Sequence, residues 1–269
     1  MAKIFRDEVK IGNFRIAFAR KGSGPELLLL HGGIVDNRMW NKQIEDLSDD
    51  FDVIAWDAPG HGGSSDPPEE GFSLYDYTKC LADFIEKLEL KKPHLLGLSF
   101  GSGLALAFYS YFPQIPRSLV LASAYAGWAG SLPPEVVEER MEKAYEQSWL
   151  PPEQVFQAWL PTLFSDDVSE EVVKELKRLF YDFHPAGMRA VLNVFGRVDL
   201  SPVLPTIKVP VLLLYGEKDK RSPLKVGQEM LDKIPGAKMV VIPGVGHVCN
   251  LEAPEAFNKE VRNFLREIN

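Results

Sequence analysis

Cysteine is almost missing from this chain. Two in 269 residues, Cys80 and Cys249, cannot build a disulfide framework and fit a reducing compartment. Positive charge is also scarce. Thirty Lys and Arg stand against 38 Asp and Glu, a formal net charge of −8, so the broad basic footprint that a nucleic-acid backbone attracts is lacking. No run approaches the roughly 20 apolar residues needed to span a bilayer. The longest, 27–30 and 209–215, have the length of strands. Residues 1–10 are mixed and charged with no apolar centre, which predicts no secretory signal. HExxH and paired Cys/His spacings, the usual marks of a metal site, are absent. The glycine-rich stretch 60–63 is no phosphate loop, because it lacks the Gly-Lys-Ser/Thr ending and opens no helix. Internal repeats and low-complexity tracts are missing too. Together these absences predict a cytoplasmic protein with no metal, no cofactor, no membrane and no nucleic-acid partner.

What is present is ordinary globular material, 45% hydrophobic and 25% charged, long enough for a sizeable core. Residues 4–10 and 14–20 alternate apolar and polar around Gly12-Asn13, the pattern of an antiparallel hairpin. Short, nearly continuous apolar runs follow at 27–30, 53–56, 94–98, 119–121, 211–215 and 239–242, as expected for parallel strands covered on both faces. Between them lie helical patterns. Residues 74–88 put Leu74, Tyr77, Leu81, Phe84, Ile85 and Leu88 on one stripe behind Ser73 as N-cap. A mostly apolar helix starting near Ser102 follows the fifth strand, and 254–268 is amphipathic through Phe257, Val261, Phe264, Leu265 and Ile268. Strand–helix alternation of this kind predicts a doubly wound α/β sheet.

Residues 127–200 break the alternation. They hold no good strand but several helical windows bounded by proline, at 133–149, 152–160, 169–180 and 186–195. The expected organisation is therefore an α/β core from 1–126 and 201–269, with an all-α cap inserted over 127–200. The insertion carries Trp128, Trp149, Trp159, Phe164, Phe180 and Phe195. These aromatics either pack the insertion or line a lid over the ligand-binding edge of the sheet.

Gly97-Leu98-Ser99-Phe100-Gly101 joins the fifth strand to its helix. Glycine on either side of Ser99 allows the sharp turn of a nucleophile elbow; the plainer alternative is that Ser99 caps the helix. A serine hydroxyl needs a base, and the base an orienting carboxylate. Of five histidines, His247 follows the last strand in Gly244-Val245-Gly246-His247. His31 and His61 lie on other glycine-flanked loops, but the order Ser…Asp…His disfavours both. His94 begins a strand and His184 sits in the insertion. Asp219, in Gly216-Glu217-Lys218-Asp219 after the strand 211–215, is the expected acid, with Glu217 and Asp199 as competitors. A tetrahedral oxyanion needs preorganised N–H donors. Phe100, after the nucleophile, and Gly33, in His31-Gly32-Gly33-Ile34, are placed to give them, with Ile34 as the alternative to Gly33.

In order along the chain, these motifs resemble the α/β-hydrolase superfamily: His31-Gly32-Gly33 with Trp40 downstream, Asp57-Ala58-Pro59-Gly60-His61-Gly62-Gly63-Ser64, the elbow at Ser99, Tyr215-Gly216-Glu217-Lys218-Asp219, and Gly246-His247 followed by Glu252-Ala253-Pro254-Glu255. The chain is most similar to the serine-nucleophile branch that holds 3-oxoadipate enol-lactonases, small carboxylesterases, cofactor-free haloperoxidases and C–C bond hydrolases. That resemblance implies a mostly parallel eight-stranded sheet with a helical cap. A serine at position 99 argues against the dehalogenase and epoxide-hydrolase branches, whose nucleophile is aspartate. The expected activity is cofactor-independent hydrolysis of a small-to-medium carboxylic ester or lactone by Ser99, His247 and Asp219, in a monomer or small homo-oligomer. The alternatives are C–C bond hydrolysis with the same residues, or a ligand receptor of this fold with little turnover.

Overall fold

The computed structural model describes residues 3–68 and 71–268. Strands β1 (Phe5–Ile11) and β2 (Phe14–Gly22) form the expected hairpin, with Ile11 opposite Phe14 across the Gly12-Asn13 turn. Then come β3 (Glu26–Leu30), the short helix α1 (Asn41–Leu47), β4 (Asp52–Trp56), α2 (Leu74–Lys87), β5 (His94–Leu98), α3 (Phe100–Tyr111) and β6 (Ser118–Ala122). Four helices separate β6 from β7 (Val211–Gly216): α4 (Pro134–Gln147), α5 (Pro152–Leu163), α6 (Glu170–Tyr181) and α7 (Pro185–Phe195). After β7 the chain runs through α8 (Leu224–Lys233), β8 (Lys238–Ile242), the single turn α9 (Cys249–Glu252) and α10 (Pro254–Arg266).

The eight strands form one sheet in the order β1-β2-β4-β3-β5-β6-β7-β8. β2 pairs antiparallel with β1 and β4, and every other pairing is parallel. Side chains alternate across a strand, and this alternation divides the core. Leu27, Leu29, Val53, Ala55, Leu96, Val120, Leu212 and Leu214 face the side covered by Trp40, by α1 through Ile44 and by α10 through Phe257 and Val261. Leu28, Leu30, Ile54, Leu95, Leu119, Leu121, Leu213 and Tyr215 face the side covered by α2, α3 and α8. Strands buried on both sides have no room for a polar alternate residue, which is why these runs are continuous in apolar residues.

Local chemistry sets the helix ends. Ser73 and Asp76 form a reciprocal capping box at the start of α2, each side chain taking the other's backbone N–H. In the insertion, α4, α5 and α7 each begin with proline in the first turn, where a missing N–H costs nothing. Helix α5 runs past the expected end at 160 through Pro161 to Leu163, because a proline in the last turn removes only one intrahelical donor. Helix α3 starts at Phe100 rather than near Ser102, so Ser99 itself is the N-cap position. Helices α1 and α8 were not expected from the sequence. Each is short and buries only a few residues, such as Ile44 and Leu47, or Val226 and Met230.

Candidate active site

The parallel strands end on one edge, and the loops leaving β3, β5, β7 and β8 carry the expected site residues. Ser99 leaves β5 with φ 54° and ψ −108°, outside the regions an L-residue prefers. Its side chain makes no capping hydrogen bond, which removes the plain helix-cap reading. The turn is held by its surroundings. The Ser99 amide donates to the Ala122 carbonyl at 2.9 Å, and the Ser102 hydroxyl lies within hydrogen-bond reach of the Gly97 and Ala122 carbonyls. A Cβ on Gly97 would strike the Gly101 backbone, and one on Gly101 would strike the Leu30 carbonyl. The two flanking glycines are therefore required by contact and not only by turn propensity.

His247 and Asp219 meet. His247 Nδ1 stands 2.9 Å from Asp219 Oδ2 and 3.1 Å from Oδ1, and both side chains are buried. Asp219 Oδ1 also accepts from the amides of Arg221 and Ser222, at 2.9 and 2.8 Å. Burial works to raise the Asp219 carboxyl, but His247 and the Ser222 amide outweigh it and hold the group below the ordinary carboxylate value. The Ser123 hydroxyl, on a residue with φ 47°, donates to the His247 carbonyl at 2.8 Å and fixes the histidine from its backbone side. With Nδ1 engaged by a carboxylate, Nε2 is the nitrogen left for the cavity that His247 and Ser99 both line.

The competing residues are employed elsewhere. His31 Nδ1 contacts the Gly32 carbonyl at 2.7 Å while Nε2 accepts from the Ala58 amide at 2.9 Å, so both ring nitrogens are used in tying the β3 loop to the β4 loop. Burial lowers its pKa. His61 lines the cavity and stacks on Phe100, but burial and the adjacent His31 hold its pKa well below that of a free histidine. His94 is buried in β5 beside Ser118, and His184 pairs with Asp66 at 2.7 Å. Glu217 is partly exposed and accepts from the Gly244 amide; Asp199 accepts from the Ser201 amide. Gly33 and Phe100 are neighbours, since a Cβ built on Gly33 would lie 3.8 Å from Phe100 Cβ, and both line the cavity. Ile34, with φ 66°, lines it as well. The free thiols of Cys80 and Cys249 are pushed up to about 12 by burial and are inert.

A family model described as the alpha/beta hydrolase family matches residues 27–260. The chain belongs to the α/β-hydrolase family. Carboxylesterase YbfK of Bacillus subtilis is 26% identical over 98% of this chain and 88% of its own. A thermophilic esterase from Thermogutta terrifontis is 29% identical, with a TM-score of 0.88 over 99% of both chains. The enol-lactonase from Burkholderia xenovorans LB400 is 26% identical, with a TM-score of 0.87 over 97% of this chain and 100% of that one. With relatives of this kind over nearly its whole length, the chain is a hydrolase of the family.

In this α/β hydrolase residues of the helices between β6 and β7 line the cavity. Trp128, Trp159, Phe180 and Phe195 line it, whereas Trp149 is 63% exposed and Phe164 is buried away from it. Close contacts seat the insertion on the core, two of them next to the motif glycines and the histidine loop. Gly187 of α7 lies so close to the Gly60 backbone that a Cβ on either would clash, which gives the glycine at position 60 a packing reason. Glu252 accepts from the Gly246 amide at 2.7 Å and from the Ser165 amide and hydroxyl at 3.0 and 2.6 Å, joining the histidine loop to the segment after α5. Reasoning from sequence missed Arg221 as a site residue. Among the described residues that line the cavity it is the one Lys, Arg, Asp or Glu, and burial pushes its guanidinium down to about 10. Beside Lys218 and Lys220 it reads as part of a solvated charge run, and no pattern separates it from them.

Proposed function

We propose that the protein is a cofactor-independent serine hydrolase of small-to-medium carboxylic esters or lactones. Ser99 Oγ attacks the acyl carbon while His247 Nε2 takes its proton, and Asp219 holds the Nδ1–H tautomer and stabilises the imidazolium. The N–H groups of Gly33 and Phe100 receive the oxyanion. Loss of the alcohol, which takes the proton from His247, leaves an acyl-enzyme. Water, deprotonated by the same histidine, releases the acid. In a lactone the alcohol stays attached to the acyl group and no second product leaves. The helices between β6 and β7 act as a lid over a chiefly apolar chamber.

The observation that carries this reading is the strained, uncapped Ser99 opening on the same cavity as a histidine whose Nδ1 is committed to a buried carboxylate. Esterase and lactonase relatives support the substrate class. Reaction with a fluorophosphonate followed by peptide mass spectrometry should place the adduct on Ser99. Ser99→Ala should lower kcat for p-nitrophenyl butyrate by about 10⁴-fold or more, the scale for a member of such a triad, without lowering Tm. An adduct elsewhere, or a tenth of wild-type activity in Ser99→Ala, would remove Ser99 from the chemistry. A vinylogous diketone assayed beside the ester separates C–C bond hydrolysis from ester hydrolysis.

A further inference from the structure

The cavity holds a cation with no anion to match it. Arg221 Nη1 donates to the Thr162 hydroxyl at 3.1 Å, and the guanidinium carbon stands over the Trp159 ring, 4.0 Å from its centroid. No Asp or Glu reaches it within ion-pair distance among the described residues. Asp219 acts on it through space, but that carboxylate is engaged with His247 and with the amides of Arg221 and Ser222. Nη1 is thus occupied, one face of the plane is covered, and the edge formed by Nε and Nη2 has no protein acceptor among the described residues. Three arginines elsewhere in the chain are by contrast matched: Arg38 by Asp36 and Asp182, Arg197 by Glu138, Arg262 by Asp46 and Asp50. A guanidinium with two uncommitted donors on the lining of a chiefly apolar chamber is the complement of a carboxylate, which Nε and Nη2 would hold by two parallel hydrogen bonds.

The arginine is also fixed from behind. Its amide is tied to Asp219, and its carbonyl accepts from Arg140 Nη2 at 3.1 Å. Arg140 Nη1 donates to the Tyr125 hydroxyl at 2.8 Å, and Tyr125 lines the cavity too. The phenol oxygen is then an acceptor towards Arg140 and keeps its own proton to give. We propose that Arg221, assisted by Tyr125, binds a free carboxylate on the substrate, so that the preferred substrates are monoesters or lactones that carry a second, ionised carboxyl group. The proposal rests on the hydrolase reading above and narrows its substrate class. Transfer of a lone carboxylate into an apolar cavity is strongly unfavourable, and so is burial of a lone guanidinium. Bringing them together compensates both, whereas a neutral acyl chain leaves the arginine uncompensated.

The test compares p-nitrophenyl monoesters of glutaric, adipic and suberic acids with p-nitrophenyl valerate, caproate and caprylate. In the wild type at least one monoester should exceed its uncharged partner in kcat/KM by tenfold or more. Arg221→Gln should lower that ratio by roughly a hundredfold, the scale for removing one partner of a buried charged pair, with the loss mainly in KM. Arg221→Lys should recover part of it. A second measurement needs no turnover: glutarate and adipate titrated by calorimetry into Ser99→Ala should bind, and should fail to bind once Arg221→Gln is added. Equal treatment of charged and neutral esters by the wild type, or a ratio unmoved by Arg221→Gln while Tm falls, would make Arg221 a latch between Trp159 and the acid loop and overturn the proposal. If no ester of either kind is cleaved, the hydrolase reading fails, and the calorimetric result still decides whether the cavity selects carboxylates.

Discussion

At the scale of single residues, two carboxylates show how position divides similar groups. Asp219 and Glu217 are two apart on one loop, yet one is buried against His247 and the other takes a loop amide near solvent. Asp219→Asn should cut kcat by about 10⁴-fold, because an amide stabilises no imidazolium and favours the wrong tautomer. Glu217→Gln should leave kcat within a few-fold; the reverse outcome in an esterase assay would move the acid to Glu217. Asp57 behaves differently. Burial and the adjacent Asp36 push its carboxyl from 3.8 up to about 6, against the pull of the Asn37 and Gly63 amides. Its pKa is higher in the folded state than in the unfolded chain, so the folded state keeps the proton longer. The stability it contributes is therefore fully present below pH 3.8 and is lost as pH rises to about 6. The loss over that window is roughly 3 kcal/mol. A carboxyl ¹³C titration should place the Asp57 midpoint at about 6, and a midpoint at the ordinary 3.8 would contradict the assignment.

At the scale of elements, the site depends on how the insertion is fastened. The loop before α9 carries His247, and Glu252 at the end of that turn bridges Gly246 to Ser165. The carboxylate satisfies three donors at once. In Glu252→Gln one oxygen becomes an NH₂ that faces an N–H, leaving buried groups unpaired at a cost of about 1–3 kcal/mol. The expected result is a Tm lower by roughly 2–10 °C, together with a fall in kcat as the histidine loop loosens. Thermal melts and ester kinetics on the same preparation check both; a fall in Tm with kcat intact would separate the clamp from the site. The amphipathic helices α2 and α10 and the proline-started helices of the insertion were legible because capping and periodicity are local. Helices α1 and α8 were not, since they are short, seven and ten residues, and each buries only three of them.

At the scale of the molecule, Ser99 and His247 at the sheet edge and aromatics of the helices between β6 and β7 line the same chamber. An apolar chamber gains roughly 0.8 kcal/mol per methylene it buries, about fourfold in kcat/KM per carbon until it is full. Efficiency on neutral p-nitrophenyl esters should therefore climb over the first few acyl carbons and then drop at the wall. Trp159 is half of that wall's aromatic contact with α6, through Phe180, and its indole N–H is held by Gln147 at 2.6 Å. Trp159→Ala should shift the optimum to longer chains. Equal efficiency from acetate to long acyl chains would mean an open site, and the insertion would then be no selective cover.

Much was readable in the chain alone. Strand runs such as 27–30 and 211–215, the glycines around Ser99, and the acidic and histidine loops after successive strands are short-range patterns, and short-range patterns are dictated by sterics and burial that act within a few residues. Together they determined the sheet, the family and the nomination of Asp219 with His247. Only the tertiary structure decided which of the aromatics in the insertion face the chamber: Trp159 and Trp149 look alike in sequence, but one lines the cavity and the other lies in solvent. It likewise decided that Arg221 lines the cavity while its neighbours Lys218 and Lys220 remain exposed. The reason is physical. A side chain's orientation in a loop or on a helix is set by what packs against it, and for Arg221 that partner is Trp159, contributed by a helix that precedes it by some sixty residues and meets it only when the insertion closes on the sheet.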